Sequence, residues 1–300
     1  MTRPSLEQAY AYCQQLTRSH YENFPVASFL LPKRLRRPIS VIYAFARTAD
    51  DFADEGNLSR AERLHRLEGF SKALGQIEEH HYQGKDPIFI ALEDVISQHR
   101  LPVRLFHDLL TAFKQDVVKS RYADFSEVLD YCRYSADPVG RLLLHLTISP
   151  SERQLQQSDA VCTSLQLINF YQDIVQDYRE QDRIYLPQDE LSAAGFKEAD
   201  LVANNSESIA VVIRSLYRRT AKLMQQGYLL GARLRGRMGW EVRAMTLGGI
   251  TTLHQLLQQT DSNLLSRPRL SKTRMLMILA RSASPQVYRR HCERLVSSMF

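Results

Sequence analysis

Eight side chains on two short segments have the types and spacing to do chemistry together. Between Ile42 and Asp54, the residues Tyr43, Arg47, Asp50 and Asp54 are separated by steps of four, three and four, which places them on one face of a helix. Their neighbours Ile42, Phe45, Ala46, Ala49 and Ala53 are apolar or small. Between Ser164 and Asp177, the residues Gln166, Asn169, Asp173 and Asp177 follow steps of three, four and four, amid Leu165, Leu167, Ile168, Phe170, Ile174 and Val175. An isolated Asp-x-x-x-Asp pair usually marks a solvated face. Two such pairs, each in apolar sequence and each preceded by polar residues one or two turns earlier, point instead to a cavity or a partner, because an unpaired buried carboxylate is costly.

Carboxylates one helical turn apart repel by about 0.2–0.5 kcal/mol in water, and more strongly as water is withdrawn. A divalent cation removes that penalty. Mg²⁺ takes one or two carboxylates, keeps several waters and completes its shell with substrate phosphate. Two helices carrying these stripes and facing each other would line a polar slot able to hold Mg²⁺ and a diphosphate. Cations there neutralise the charge that builds on a departing phosphate oxygen, so a C–O bond can break without a nucleophile. The chain has neither a Walker loop nor a G-x-G-x-x-G motif, so no nucleotide, NADPH or FAD is expected. His80, His81, His99, His107 and His145 show no metal spacing and read as surface or satisfied core histidines. Cys13, Cys132, Cys162 and Cys292 form no C-x-x-C pair, which argues against zinc and disulfides and fits a reducing cytosol.

The elements that must position these stripes are helical. Apolar residues recur at helical spacing almost throughout, and alternating β-branched runs are scarce. Helices are predicted to begin near Ser5, Pro38, Ser59, Pro87, Pro102 and Phe125, with another at Asp137-Pro138. A long one runs from Ser151 to about Tyr178. Residues 183–187 form an extended link, and 181–207 are irregular with short helical pieces. Long helices follow at 206–235 and 239–259, then shorter ones after Pro268 and Pro285. No stretch resembles a linker, so one domain spanning 1–300 is expected. With 44% hydrophobic and 24% charged residues, the 300-residue chain can build a proper core. No apolar run reaches the roughly 18 residues of a membrane span, and the start lacks a signal peptide's apolar core. A cytoplasmic protein is expected, resting at most on the inner face of the membrane.

Charge is unevenly distributed. From Ile213 to Phe300 there are 16 Lys/Arg against three acids, so this part carries a net +13 and residues 1–212 a net −7 in a chain whose net charge is +6. The basic part reads as a solvated face, or as attraction to anionic lipid or diphosphate. No exposed aromatics interleave with the arginines, so nucleic acid is not an expected partner.

Five stretches together resemble the squalene/phytoene synthase family over roughly Tyr10 to Ala280. They are His20–Pro32, Tyr43–Asp54, Tyr131–Leu142, Leu165–Asp177 and Arg183–Pro187. The resemblance implies an all-α, single-domain isoprenoid synthase helical bundle with a central active-site cavity. It implies that Asp50 and Asp54 bind Mg²⁺ from one wall, and Asn169, Asp173 and Asp177 from the other. It also places Arg47 and the His20–Asn23 stretch, including Tyr21, at the diphosphate, with Arg183 in the substrate-binding set. Tyr43, Gln166 and Tyr185 would line the reaction centre. Val139 and Gly140 would let a prenyl chain pass close to backbone, although a tight helix contact explains that pair equally well.

Two departures narrow the activity. Asn23 stands where squalene and phytoene synthases usually carry a serine for diphosphate contact, and Gln172 stands where many members carry an arginine. Loss of that fixed charge weakens the case for condensing two farnesyl diphosphates. The Glu22–Val26, Ala136–Leu142 and Asn169–Asp177 stretches look most like the hydroxysqualene synthase branch of bacterial hopanoid biosynthesis. That branch ionises presqualene diphosphate, rearranges the cation and captures it with water. The rivals are a head-to-head prenyl transferase of the same family and a non-catalytic lipid-binding subunit. The expected partners are a prenyl diphosphate substrate, a membrane surface and pathway enzymes.

Overall fold

The structure is a computed structural model, and it describes residues 2–19, 32–203 and 206–300. Among the described residues the chain is almost entirely helical. In order it forms α1 (Leu6–Ser19), α2 (Lys33–Asp54), α3 (Arg60–Glu78), α4 (Pro87–His99), α5 (Arg104–Val118), β1 (Arg121–Tyr122), α6 (Phe125–Ser135), α7 (Asp137–Thr147) and α8 (Glu152–Gln181). There follow β2 (Ile184–Pro187), α9 (Gln188–Ala193), α10 (Glu198–Val202), α11 (Ala210–Gly227), α12 (Leu229–Arg233), α13 (Gly236–Leu257), α14 (Lys272–Ala283) and α15 (Pro285–Ser297). These residues group into two compact units, one of Met1–Val118 with Pro138–Pro150 and one of Lys119–Asp137 with Ser151–Phe300.

Local chemistry explains several of the helix starts. Ser59 accepts from the Glu62 amide while the Glu62 carboxylate accepts from the Ser59 amide, a reciprocal cap that starts α3. Asp86 accepts from the Ile88 amide just before Pro87 opens α4, and Asp124 does the same for Glu127 in α6. Two expectations shift. Helix α2 starts at Lys33, so Pro38 lies buried inside it instead of opening it. The helix expected over 206–235 is divided at Tyr228 into α11 and α12, where the buried Tyr288 hydroxyl donates to the Tyr228 carbonyl at 2.6 Å. The two-residue strand β1, not foreseen, pairs in parallel with β2 through Arg121 and Ile184.

In the first unit, α2 is held by an aromatic core. Phe45 is fully buried and meets Phe106 edge-on at 5.3 Å, Phe89 edge-on at 6.0 Å and Phe70 at 5.5 Å. The end of α2 is held by a single arginine of α3. Arg63 donates to the carbonyls of Leu58 (3.2 Å), Phe52 (3.3 Å), Gly56 (2.8 Å) and Ala53. Phe52 and Ala53 are among the last carbonyls of α2, which a helix C-terminus leaves without partners, while Gly56 and Leu58 lie in the turn that leads to α3. In the second unit, α8 is the central rod, burying Val161, Ser164, Leu167, Ile168, Tyr171 and Ile174. Two glycines let its neighbours come close: a Cβ at Gly249 of α13 would lie 2.3 Å from a Leu165 methyl, and one at Gly227 of α11 only 2.5 Å from the Gln157 carbonyl.

Replacing Arg63 with alanine strips these carbonyls of their shared donor. The expected loss is about 1–3 kcal/mol, seen as a lower urea midpoint by circular dichroism with an unchanged slope. An unchanged midpoint would show that the α2 terminus is held by other means.

Candidate functional site

In the first unit the α2 stripe lines a cavity of about 230 Å³. Its α2 wall is Ile39, Ile42, Tyr43, Ala46, Arg47 and Asp50, and Leu109 and Phe113 of α5 with Val139 and Leu143 of α7 complete it. From Ile39 to Asp50 the wall extends about 16 Å along the helix at 1.5 Å per residue. Chemically it is graded: apolar from Ile39 to Ala46, then ionic at Arg47 and Asp50. Tyr43 sits at the transition. Its hydroxyl is pushed above the usual phenol range by burial, reinforced by Asp51 and Asp50 and opposed by Arg47, so it remains a neutral phenol.

Arg47 is the electrostatic hub of this end. Its guanidinium lies 2.6 Å from Asp51 and 3.5 Å from Asp50, and it also pairs with Glu55. Burial opposes its charge, but the three carboxylates outweigh burial and hold it protonated. Asp51 and Glu55 were not among the candidate residues. The same i,i+4 spacing rule that selected Asp54 from Asp50 would have selected Asp51 from Arg47 and Glu55 from Asp51. Asp54 lies one turn beyond Asp50 on α2, and Val139 lines the cavity, while Gly140 is buried in the first turn of α7.

In the second unit α8 carries Gln166, Asn169, Asp173 and Asp177, with Asn169 exposed and the other three partly buried. Burial raises the Asp173 carboxyl, Arg267 opposes the rise, and Glu180 adds to it. Asp177 is raised further, to about 7, by burial first and by the neighbouring Asp173 second, with Arg183 and Arg267 opposing. Arg183 is 7% exposed and its amide donates to the Asp177 carbonyl, so the segment after α8 holds a counter-charge at the end of the helix. The other cation arrives from the loop before α14. Arg267 Nε lies 2.9 Å from Asp173, and the adjacent Gln172 amide donates to the Pro268 carbonyl at 2.9 Å. Nothing local in the sequence marks Arg267, since its partner lies on a helix far earlier in the chain.

Beside the α8 stripe stands an aromatic stack that sequence reasoning did not assemble. Tyr185 of β2 lies on Phe170 with ring centroids 3.8 Å apart, and Tyr131 and Tyr122 each lie 5.5 Å from Tyr185. Phe170 is one helical turn from Asp173, so ring faces and carboxylates occupy adjoining strips of one helix. Strand pairing of β1 with β2 sets Tyr122 and Tyr185 in this stack. His20, Tyr21 and Asn23 lie outside the described residues.

Each acidic pair suits a divalent cation that takes few protein ligands. Among the described residues no three His, Cys, Asp or Glu side chains converge on one point, so each stripe offers a carboxylate pair, joined on α8 by the Asn169 amide. That is the sparse, all-oxygen donor set Mg²⁺ accepts when phosphate and water supply the rest. The mutual charge penalty at Asp173 and Asp177 is what a bound cation would relieve.

Comparison with known proteins identifies the family. The sequence profile described as squalene/phytoene synthase matches residues 17–275. The hydroxysqualene synthase of Rhodopseudomonas palustris is 42% identical over 224 residues, which cover 74% of each chain. The phytoene synthase of Mycobacterium tuberculosis is 31% identical over 192 residues, covering 64% of this chain and 62% of that one. Among solved structures, squalene synthase HpnC from Alicyclobacillus acidocaldarius superposes with a TM-score of 0.76 at 33% identity, covering 84% of this chain and 94% of that one.

The Asp177 carboxyl yields a signed prediction. Its pKa rises from an ordinary 3.8 unfolded to about 7 folded, so the unfolded chain releases this proton first. Folding stability therefore falls as pH climbs from about 4 through 7. In chelator-containing buffer, Asp177→Asn is expected to melt higher than wild type at pH 8, with the gap closing toward pH 5. A gap independent of pH would refute the shift.

Proposed function

Because the chain belongs to the squalene/phytoene synthase family, we propose that it converts presqualene diphosphate into hydroxysqualene with release of diphosphate, in hopanoid and squalene biosynthesis. The observation that carries this reading is the graded cavity along α2, apolar for most of its length and ionic at Arg47 and Asp50. A prenyl diphosphate has the same polarity order. The hydroxysqualene synthase relative supports the finer choice of reaction. Gln172 supports it too: where many family members place an arginine, its amide is engaged with the Pro268 carbonyl and contributes no charge.

Asp50 and Asp54 on α2, with Asn169, Asp173 and Asp177 on α8, would hold Mg²⁺. Bound there, the metal supplies charge neutralisation for the departing diphosphate. The protein's own groups do the rest. Arg47 stays charged throughout and receives the diphosphate oxygens by hydrogen bonds. The C–O bond breaks with its electron pair leaving on diphosphate, giving a cyclopropylcarbinyl cation. The three-membered ring opens with the cation against the apolar lining of the α2 cavity, Ile42, Phe113 and Leu143. Tyr43, held as a neutral phenol, offers an oxygen dipole without acting as a competing anionic nucleophile. Water adds to carbon and releases one proton, giving hydroxysqualene. No reductant is consumed, so neither NADPH nor FAD is required.

The phytoene synthase relative favours one second reading, a head-to-head transferase that joins two prenyl diphosphates. Incubation of purified protein with Mg²⁺ and either presqualene diphosphate or farnesyl diphosphate, without NADPH, separates the two. Hydroxysqualene from presqualene diphosphate alone is the expected product. Consumption of farnesyl diphosphate would replace it with the transferase reading, and turnover of neither would favour a non-catalytic lipid-binding subunit. Asp50→Asn and Asp173→Asn are each expected to lower turnover by roughly a hundredfold or more while leaving the circular dichroism spectrum unchanged. Near-normal turnover in either would remove that residue from the metal set.

A further inference from the structure

We propose that α14 is a membrane-docking helix that seats the protein on an anionic bilayer. Met275, Leu276 and Met277 are 53%, 66% and 42% exposed, three consecutive apolar side chains on a helix of twelve residues. Leu276 lies on the side of α14 opposite the buried Ile278 and Ser282. Lys272 and Arg274 flank this apolar strip from the first turn, and Arg269 precedes it, all exposed.

The exposed face is not a sign that α14 is loosely attached. Arg243, 3% exposed in α13, donates to the Ser282 carbonyl at 2.6 Å, and the Trp240 indole donates to the Leu279 carbonyl at 3.0 Å. Ser282 itself is fully buried. The inner side of α14 is therefore bolted to α13 by carbonyl hydrogen bonds, and the outer side is presented in a fixed orientation.

Charge selects the occupant. From Ser262 to Phe300 the chain has eight Lys/Arg and one acid, Glu293, which pairs with Arg289 at 2.7 Å. Bare apolar side chains ringed by cations complement acyl chains beneath anionic headgroups, with the basic residues at headgroup level and Met and Leu below them. No helix among the described residues is long and apolar enough to cross a membrane, so the contact is peripheral. The stretch that leads into α14 also touches the α8 stripe, through Arg267 on Asp173 and the Pro268 carbonyl on Gln172. A docked α14 thus holds the carboxylates of α8 close to the lipid phase, a use that rests on the prenyl diphosphate reading, whereas docking does not.

Flotation of the full chain with phosphatidylglycerol vesicles, phosphatidylcholine vesicles and no vesicles tests this. Binding to the anionic vesicles alone is expected, falling at 0.5 M salt. The triple variant Met275→Ser, Leu276→Ser, Met277→Ser is expected to lose about tenfold in partitioning. It should keep the wild-type melting temperature and its turnover of detergent-dispersed substrate, so that a folding defect is recognised. Absence of anionic-vesicle binding at low salt, or binding undiminished in the triple variant, would overturn the proposal. So would a wild-type dimer that the triple variant converts to monomer in sedimentation, since the face would then belong to a second copy. Vesicle binding by a chain that turns over no prenyl diphosphate would uphold docking and refute only the proposed reaction.

Discussion

Repulsion between carboxylates one turn apart on a half-buried helix is the constraint that organises this molecule. Under the proposed function each acidic stripe must be exposed enough to meet a ligand and supported enough to survive without one. The two helices meet that demand differently. On α2 the counter-charge is internal: Arg47 reaches Asp50, Asp51 and Glu55 from the same helix. On the opposite face Phe45 packs against three buried phenylalanines, Phe70, Phe89 and Phe106, and Arg63 ties down the final carbonyls of Phe52 and Ala53. On α8 the counter-charges are imported, Arg183 from the segment after the helix and Arg267 from the loop before α14.

This difference decides what could be read from the sequence. Periodicity of 3.6 residues suffices to place Tyr43, Arg47, Asp50 and Asp54 on one face, and likewise the α8 set, because both relations are local. Caps at Ser59, Asp86 and Asp124 are equally local, and those helices begin where their signals stand. The misplaced boundaries have tertiary causes. Pro38 is tolerated within α2 where it is buried, and the interruption at Tyr228 depends on a hydroxyl sixty residues away at Tyr288. Arg267 and the Tyr122–Tyr131–Phe170–Tyr185 stack escaped for the same reason. Their partners are brought together by packing and by a two-residue parallel strand pair that has no periodicity to detect.

Gln172 shows how an uncharged side chain can become a structural link. A side-chain amide cannot neutralise a phosphate, but it can hold a backbone carbonyl, and here it holds Pro268. The neighbouring residue on the loop is then the cation that meets Asp173. One position on α8 thereby fixes where a positive charge from a remote loop will stand. The reaction proposed above, which ends in water capture, needs water to be scarce, and the cavity along α2, lined by Ile39, Ile42, Leu109, Phe113 and Leu143, offers few polar atoms to retain it.

The chain contains one tryptophan, Trp240, and its indole N–H is bonded to the Leu279 carbonyl on the inner side of α14. Its ring is partly buried against that helix. Tryptophan emission, excited at wavelengths too long for the 14 tyrosines to absorb, therefore originates at one junction, and its wavelength and anisotropy report the seating of α14 on α13 without any label. A spectroscopic signal that would average over many sites in most proteins of this size is here a local gauge.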